Sequence, residues 1–435
     1  MRLELLDLHS SSWRTVLDSI YAQLGGAANA TLLPYHFLQA AFPHIGGAVC
    51  RVSIDEQPAA YLFLCPYPYT PDSMNAGPHD ADVSAAPPVS SKEVAYSARY
   101  HLLTQEGDGN HVWELNLVQL RLALATLLKT SNIVLYDPHA DHSYTASAQD
   151  VGPLVIGRPN AGEAAAIRRL QQQIWGSPPE YLYPIDIHSN DFPLGTSLVA
   201  RVDDQVAGFL FGFYKQGGPE LPWDWQERWH GTLRIESQVM GVLPEYRGLR
   251  IGYLLKRLQA EQALGKGIGV IHWTVDPLQY PNAALNVGLL RAVAFTFTPD
   301  YYAFRNELNR GPASRFSLTW LIGSARVQVK PLYDARSTIL QLNNHPEIVR
   351  VNDGWQHADL SATAPMLAIE IPADWTAIQK EQPATALQWR TTTDRIFAHY
   401  IGSTPGDYVV TDVGVDEERR YLIVQQVSDY LWQRL

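Results

Sequence analysis

LRIESQVMGVLPEYRGLRIGYLLKRLQAEQALGKGIGVIHWTVDP, residues 233–277, decides how the chain is read. Apolar and polar residues alternate up to Val242, which predicts a strand. Pro244-Glu245-Tyr246-Arg247-Gly248 is a turn. Ile251, Leu254, Leu255, Leu258 and Ala263 then recur at helical spacing, with Lys256, Arg257, Gln259 and Glu261 between them. Gly265-Lys266-Gly267-Ile268-Gly269 ends that helix, and Val270 to Val275 reads as a second strand. The unit is a βαβ crossover, expected to be right-handed.

A helix that starts directly after a strand gathers unpaired backbone N–H groups and the positive end of its dipole in one small space. Arg247-Gly248-Leu249-Arg250-Ile251-Gly252 opens this helix. Glycines permit close backbone approach and the arginines add charge, so the segment suits a diphosphate. The alternative is an ordinary glycine-bearing helix start.

The spacing Val242-x-Pro244-x-x-Arg247-Gly248-x-x-Ile251-Gly252 resembles motif A of the GNAT superfamily of acyl-CoA-dependent N-acyltransferases. Trp273-Thr274-Val275-Asp276-Pro277-Leu278, followed by Asn282-Ala283-Ala284-Leu285-Asn286, is similar to a less-studied branch of predicted members. The resemblance covers roughly residues 153–322 and implies that the loop amides hold the diphosphate of coenzyme A, with acetyl-CoA as co-substrate. It places Met240, Gly241, Val242, Arg247, Gly248, Leu249, Arg250, Ile251 and Gly252 on the coenzyme, with Asn282 at the pantetheine arm. Arg250 stands where the family usually has a glycine, so its side chain must turn away from the phosphates or pair with them. By the same resemblance Glu236 is the base, and a strand bulge at Met240 to Val242 frees an N–H for the thioester oxygen. Tyr302, ahead of Tyr280 and Tyr301, is the acid. The plainer readings stand beside these: a solvent-side Glu236, packing tyrosines and a helix-capping Asn282.

The rest of the 435 residues suggests two or three domains. Net charge is −11, from 33 basic and 44 acidic residues. This argues against nucleic acid or an anionic membrane as main partner and suits an amine acceptor, small molecule or peptide. The N-terminal stretch is no signal peptide and no apolar run spans a membrane, so a cytoplasmic protein is expected. Cys50 and Cys65 flank a predicted hairpin turn, either paired across two strands or buried as thiols. Histidines lack metal-pair spacing, so no metal is expected.

The pattern from Ala48 to Leu64, a hairpin broken at Asp55-Glu56-Gln57-Pro58, returns from Leu198 to Phe211. Asp55/Asp203, Gln57/Gln205, Ala59/Ala207, Leu62/Leu210 and Phe63/Phe211 coincide. Ile133-Val134-Leu135-Tyr136-Asp137-Pro138 echoes Trp273 to Pro277. The expected fold is therefore α/β (α+β): tandem GNAT-like mixed sheets flanked by helices, with a C-terminal α/β extension. The boundaries are 1–150 for a degenerate copy, 151–330 for the coenzyme-binding copy and 331–435 for the extension. Acidic Gln105 to His111 precedes the helix of the first copy and repels a diphosphate. Tyr67 to Ser91 is a long loop. Ser177 to Asn190, with Asp186 and His188, offers possible substrate contacts, as do Trp223, Trp225 and Trp229. Rival functions are a coenzyme A-binding protein without turnover and a tandem-fold interaction protein.

Overall fold

The computed structural model describes residues 1–68, 95–104, 112–219, 221, 225, 233–302, 311–328 and 339–435. The loop expected from Tyr67 to Ser91 beyond residue 68, the stretch Gln105 to His111, Trp223 and Trp229 lie outside the described residues. The chain divides into two compact units. The first is 1–218 with 231–268, and the second is 219–230 with 269–435.

In the first unit, β1 (Arg2–Leu6) precedes α1 (Trp13–Gln23), and β2 (Ala48–Ile54), β3 (Gln57–Tyr67) and β4 (Ala95–Leu102) follow. Then come α2 (Leu117–Leu128) and β5 (Ile133–Tyr136). These strands pair in chain order, antiparallel except for the parallel pair β4 and β5. A π-helical turn, Phe37–Ala41, and a short α-turn at Phe42–His44 lie between α1 and β2. Next are β6 (Gln149–Val151), β7 (Leu154–Gly157), α3 (Ala161–Trp175), β8 (Thr196–Val202), β9 (Gln205–Gln216), β10 (Leu233–Val242) and α4 (Ile251–Gly265). Strands β6 to β10 also pair in chain order, antiparallel throughout.

Both predicted hairpins form, and with the same turn. Asp55 and Glu56 have φ of 51° and 66°, and Asp203 and Asp204 have 47° and 62°. Positive φ at both central residues matches the right-handed twist of the flanking strands. Each hairpin slips register at the same distance before its turn, at Val52/Ser53 and at Ala200/Arg201. Asn160 caps α3 reciprocally with Glu163, and Gly176 ends it in the left-handed region. One face of β8–β10 packs Leu198, Ala200 and Leu210 against Ile251 and Leu255 of α4. The other buries Val199, Phe209, Phe211 and Phe213 with Phe37, Phe42, Ile45 and Phe63. Cys50 and Cys65 are buried free thiols that face Leu62 and Ser97, so no disulfide joins them.

In the second unit, β11 (Val270–Val275), β12 (Val293–Thr298), β13 (Arg315–Leu321) and β14 (Met366–Ile371) are followed by α5 (Trp375–Glu381) and α6 (Pro383–Tyr400). Strands β15 (Tyr408–Asp416) and β16 (Arg419–Gln426) and helix α7 (Asp429–Arg434) complete it. The strand order is β14-β16-β15-β12-β13-β11. Pro383, which has no N–H to give, stands at the break between α5 and α6. Trp225 is fully buried beside Trp432 and donates to its carbonyl at 3.0 Å, so it packs rather than grips a ligand.

Candidate active site

The candidate loop leaves β10 through Leu243 and a 3-10 turn at Pro244–Tyr246. Tyr246 and Arg247 donate their amides back to Leu243 and Pro244, which closes that turn. Arg247, Gly248, Leu249 and Arg250 are all exposed. The first helical bond of α4 runs from the Leu254 amide to Arg250. The amides of Ile251, Gly252 and Tyr253 therefore enter the helix with no backbone acceptor among the described residues. Gly248 has φ of +96°, and a side chain there meets nothing within 4 Å. Arg250 is left-handed at φ 60° and ψ 19°. That is why the resemblance puts glycine at this position. An L-residue is held there against a cost of about 1–2 kcal/mol.

Glu236 sits on β10 and is only 9% exposed, so the solvent-side reading does not hold. Its Oε2 accepts from Lys215 Nζ on β9 at 2.7 Å, and Lys215 is buried too. The bulge in β10 lies between Glu236 and Val239, where Ser237 and Gln238 oppose the single Gly212 of β9. It is not at Met240 to Val242, which pair regularly with Leu210, Phe209 and Gly208. Gly208 beneath Val242 leaves room for the strand to approach, so the regular ladder persists there.

Sequence reasoning missed Lys256. Its amine donates to Ser237 Oγ on the bulge at 2.8 Å, and the residue is 2% exposed. Burial pushes this amine well below the ordinary lysine range, while the Glu236 carboxylate pulls it upward.

Tyr302 and Asn282 belong to the second unit. The Tyr302 hydroxyl lies 3.2 Å from Thr274 Oγ1 on β11, and the Arg315 guanidinium sits 5.0 Å over its ring. Tyr301 meets Tyr302 edge to face. Tyr280 is buried and has Arg420 over its ring, with burial raising its hydroxyl above the ordinary range. Asn282 is exposed in the helical turn Tyr280–Ala283, whose cap position is Gln279, so it does not cap that turn. A π-helical segment, Ala284–Leu289, follows and buries Asn286. Such segments often mark functional sites.

The loop Ser177 to Asn190 is mostly not a ligand surface. Asp186 is buried against Arg99, whose Nη2 donates to Oδ1 at 3.0 Å, and Tyr136 donates to Oδ2 at 2.9 Å. His188 is buried on Ser197. Burial lowers its imidazole to about 3.

Residues 164–285 match the model of the acetyltransferase (GNAT) family. The matched segment runs from α3 through the loop and α4 to Leu285, so it contains the whole candidate coenzyme site. Residues 164–285 are thus a GNAT-family acetyltransferase domain, which supports acyl transfer from acetyl-CoA to an amine as the chemistry of this region. The chain is similar to L-2,4-diaminobutyric acid acetyltransferase of Nocardia farcinica, with 23% identity over 156 residues, 36% of this chain and 74% of that protein. Among solved structures it is similar to yncA, a putative acetyltransferase of Salmonella typhimurium with acetyl-CoA. The identity is 14% and the TM-score 0.29, over 41% of this chain and 99% of that one. It is also similar to diaminobutyrate acetyltransferase EctA of Paenibacillus lautus, in complex with L-2,4-diaminobutyric acid and coenzyme A. The identity is again 14% and the TM-score 0.29, over 39% of this chain and 96% of that one. Among the described residues, no helix is long and apolar enough to cross a membrane.

Proposed function

We propose that the chain binds one acetyl-CoA, with its diphosphate on the amides of Ile251, Gly252 and Tyr253 and beside Arg247 and Arg250. The observation that carries this is the exposed loop Arg247–Arg250, left-handed at Gly248 and Arg250, opening α4 with those amides unclaimed by backbone acceptors. Backbone N–H groups and the helix dipole favour an anion there, and the arginines add charge.

Catalysis then needs little more than a neutral amine, a polarised carbonyl and a proton for the leaving thiolate. The amine lone pair attacks the thioester carbonyl carbon. Glu236, directly or through a water, takes the amine proton, and the bulge beside it presents strand amides to the developing oxyanion. The carbon–sulfur bond breaks, and the thiolate of coenzyme A takes up a proton, for which Tyr302 is the donor that the family resemblance implies. Lys215 fixes the Glu236 carboxylate in place.

The acceptor is an amine of a small molecule or peptide, in keeping with the net charge of −11. Residues 1–150 are proposed as a second copy of the fold that holds no coenzyme. Support comes from the equal strand order, the equal left-handed turns and the equal bulges of the two hairpins.

Calorimetric titration with acetyl-CoA tests the first claim, with a stoichiometry of one per chain expected. No binding heat points to the interaction-protein reading. Binding without thiol release across an amine panel that includes L-2,4-diaminobutyrate points to a coenzyme-binding protein without turnover. Glu236→Gln is expected to leave acetyl-CoA affinity intact and slow turnover by ~10²-fold or more. Unchanged turnover removes Glu236 from the base role.

A further inference from the structure

Asp276, of the Trp273–Leu278 stretch, is where the C-terminal extension reaches the acyltransferase sheet. Its carboxylate accepts from Arg390 Nη2 at 2.9 and 2.7 Å, and from Trp375 Nε1 at 3.1 Å. Arg390 lies on α6 and Trp375 opens α5, 114 and 99 residues further along the chain. The Arg390 guanidinium stacks 4.9 Å from the Trp375 ring, and its side chain is 4% exposed. Arg315 of β13 lies 3.8 Å from the same Asp276 Oδ2, and Arg315 is the residue that covers the Tyr302 ring.

A second contact ties the same helix to the loop that carries Tyr302. Asp394 of α6 accepts from Ser314 Oγ at 2.6 Å. Ser314 Oγ accepts in turn from the Asp300 amide, two residues before Tyr302. Burial raises the Asp394 carboxyl above the ordinary range, and Arg390 lowers it. Phe397 of α6 closes the arrangement against Phe316 and Phe297.

We infer that Arg390 is a positioning residue for the acyl-transfer step, acting through Asp276 and Arg315 to set the Tyr302 hydroxyl on Thr274. The inference rests on the assignment of Tyr302 as the acid. Four charges sit together here, Asp276 and Asp394 against Arg315 and Arg390. Loss of the Arg390 Nη2 bonds leaves Asp276 to draw Arg315 toward itself and off the Tyr302 ring. Arg315 is already short of water, because burial lowers its guanidinium while Asp276 and Tyr302 hold it charged. Arg390→Lys keeps the charge but gives up the planar guanidinium and its stack on Trp375. The conserved volume of Asp276→Asn keeps an acceptor for Trp375.

The experiment is a double-mutant cycle in the full chain, reading kcat for thiol release and acetyl-CoA affinity by calorimetry. Arg390→Lys and Asp276→Asn are each expected to lower kcat about tenfold, a fraction of the ~10²–10⁴ that a positioned acid supplies. Affinity is expected to stay within about twofold. In a Tyr302→Phe background neither substitution is expected to lower kcat further. A further loss there, equal to the loss in the wild-type background, overturns the inference, as does wild-type kcat in both single variants. Wild-type kcat in Tyr302→Phe alone removes the acid assignment, and the inference falls with it by a separate route. If Arg390→Lys does not fold, the same cycle read on Asp276→Asn decides.

Discussion

Gly248→Ala tests the coenzyme loop more directly than any charge change. At φ of +96° an alanine is strained, and since a Cβ there meets nothing within 4 Å, the strain is the whole local effect. The penalty is about 1–2 kcal/mol. An exposed loop sheds such strain by leaving its binding-competent shape, so the penalty appears as lost affinity rather than as global unfolding. It corresponds to a roughly 5- to 30-fold weaker acetyl-CoA dissociation constant, at about 1.4 kcal/mol per decade. Gly406 supplies the control, because it has φ of +99°, is open to the same 4 Å, and lies in the turn before β15. Gly406→Ala carries the same conformational cost with no bearing on the coenzyme. Calorimetric titration of both variants with acetyl-CoA, next to their thermal midpoints, gives the comparison. Equal affinities for the two variants, or a wild-type constant for Gly248→Ala, would show that this backbone does not hold the diphosphate.

Arg250→Gly relaxes the left-handed strain but removes a cation from the loop, so acetyl-CoA affinity should fall while the thermal midpoint holds. The loss should shrink as salt is raised from 0.05 to about 0.5 M, because exposed charges are screened. Lys256→Met should raise the thermal midpoint at neutral pH. The folded-state value of this amine is depressed, so the unfolded chain binds more protons below the ordinary lysine range and the native state is penalised there. That penalty fades as pH rises through the window between the folded and unfolded values. The stabilising effect of Lys256→Met should accordingly be smaller near pH 10 than at pH 7 in matched melts, and a constant difference refutes it. Arg99→Met should destabilise by about 3–5 kcal/mol in denaturant titration, since it strands the buried Asp186 carboxylate. Burial raises that carboxyl, but Arg99 and Tyr136 outweigh burial and hold it below the usual carboxylate range. Wild-type protein should therefore lose this contribution only as pH falls below about 4.

The hairpins, the βαβ unit and the capped helix α3 were legible because each is written locally. Alternation of period two, an Asp-rich turn and Asn160 with Glu163 three residues on are all read within a dozen residues. Helix α4 shows where locality ends. Ile251, Leu254, Leu255 and Leu258 define an apolar stripe by period alone, with Lys256 and Gln259 between its members. The sheet instead buries Ile251, Leu255, Lys256, Gln259, Ala260 and Ala263, and leaves Leu254 and Leu258 half-buried. The helix is turned because the far part of β10 presents Ser237 rather than an apolar side chain, and Lys256 reaches it. A hydroxyl on a bulge two elements away has no signature in the helix that answers it. Asp276 is a similar case. Its place in Trp273–Leu278 was visible, but its partners Trp375 and Arg390 lie about a hundred residues away in a tail of weak pattern.

These misses share a physical cause. Arg99–Asp186, Lys215–Glu236 and Arg390–Asp276 are buried ion pairs, and each joins separate elements, 87, 21 and 114 residues apart along the chain. Either half alone costs several kcal/mol out of water, so neither segment can hold its charge until the other has arrived. Apolar pairs of equal volume serve stability as well or better, which makes stability a poor account of why charges stand at these positions. Their geometry is the better account, because charge-assisted hydrogen bonds hold a carboxylate in one direction as well as at one distance. Lys215 fixes the candidate base on β10, and Arg390 fixes the strand end beside the candidate acid. The apolar pattern thus decides that the sheets form, and the buried charges decide how the side chains beside the candidate base and the candidate acid are held.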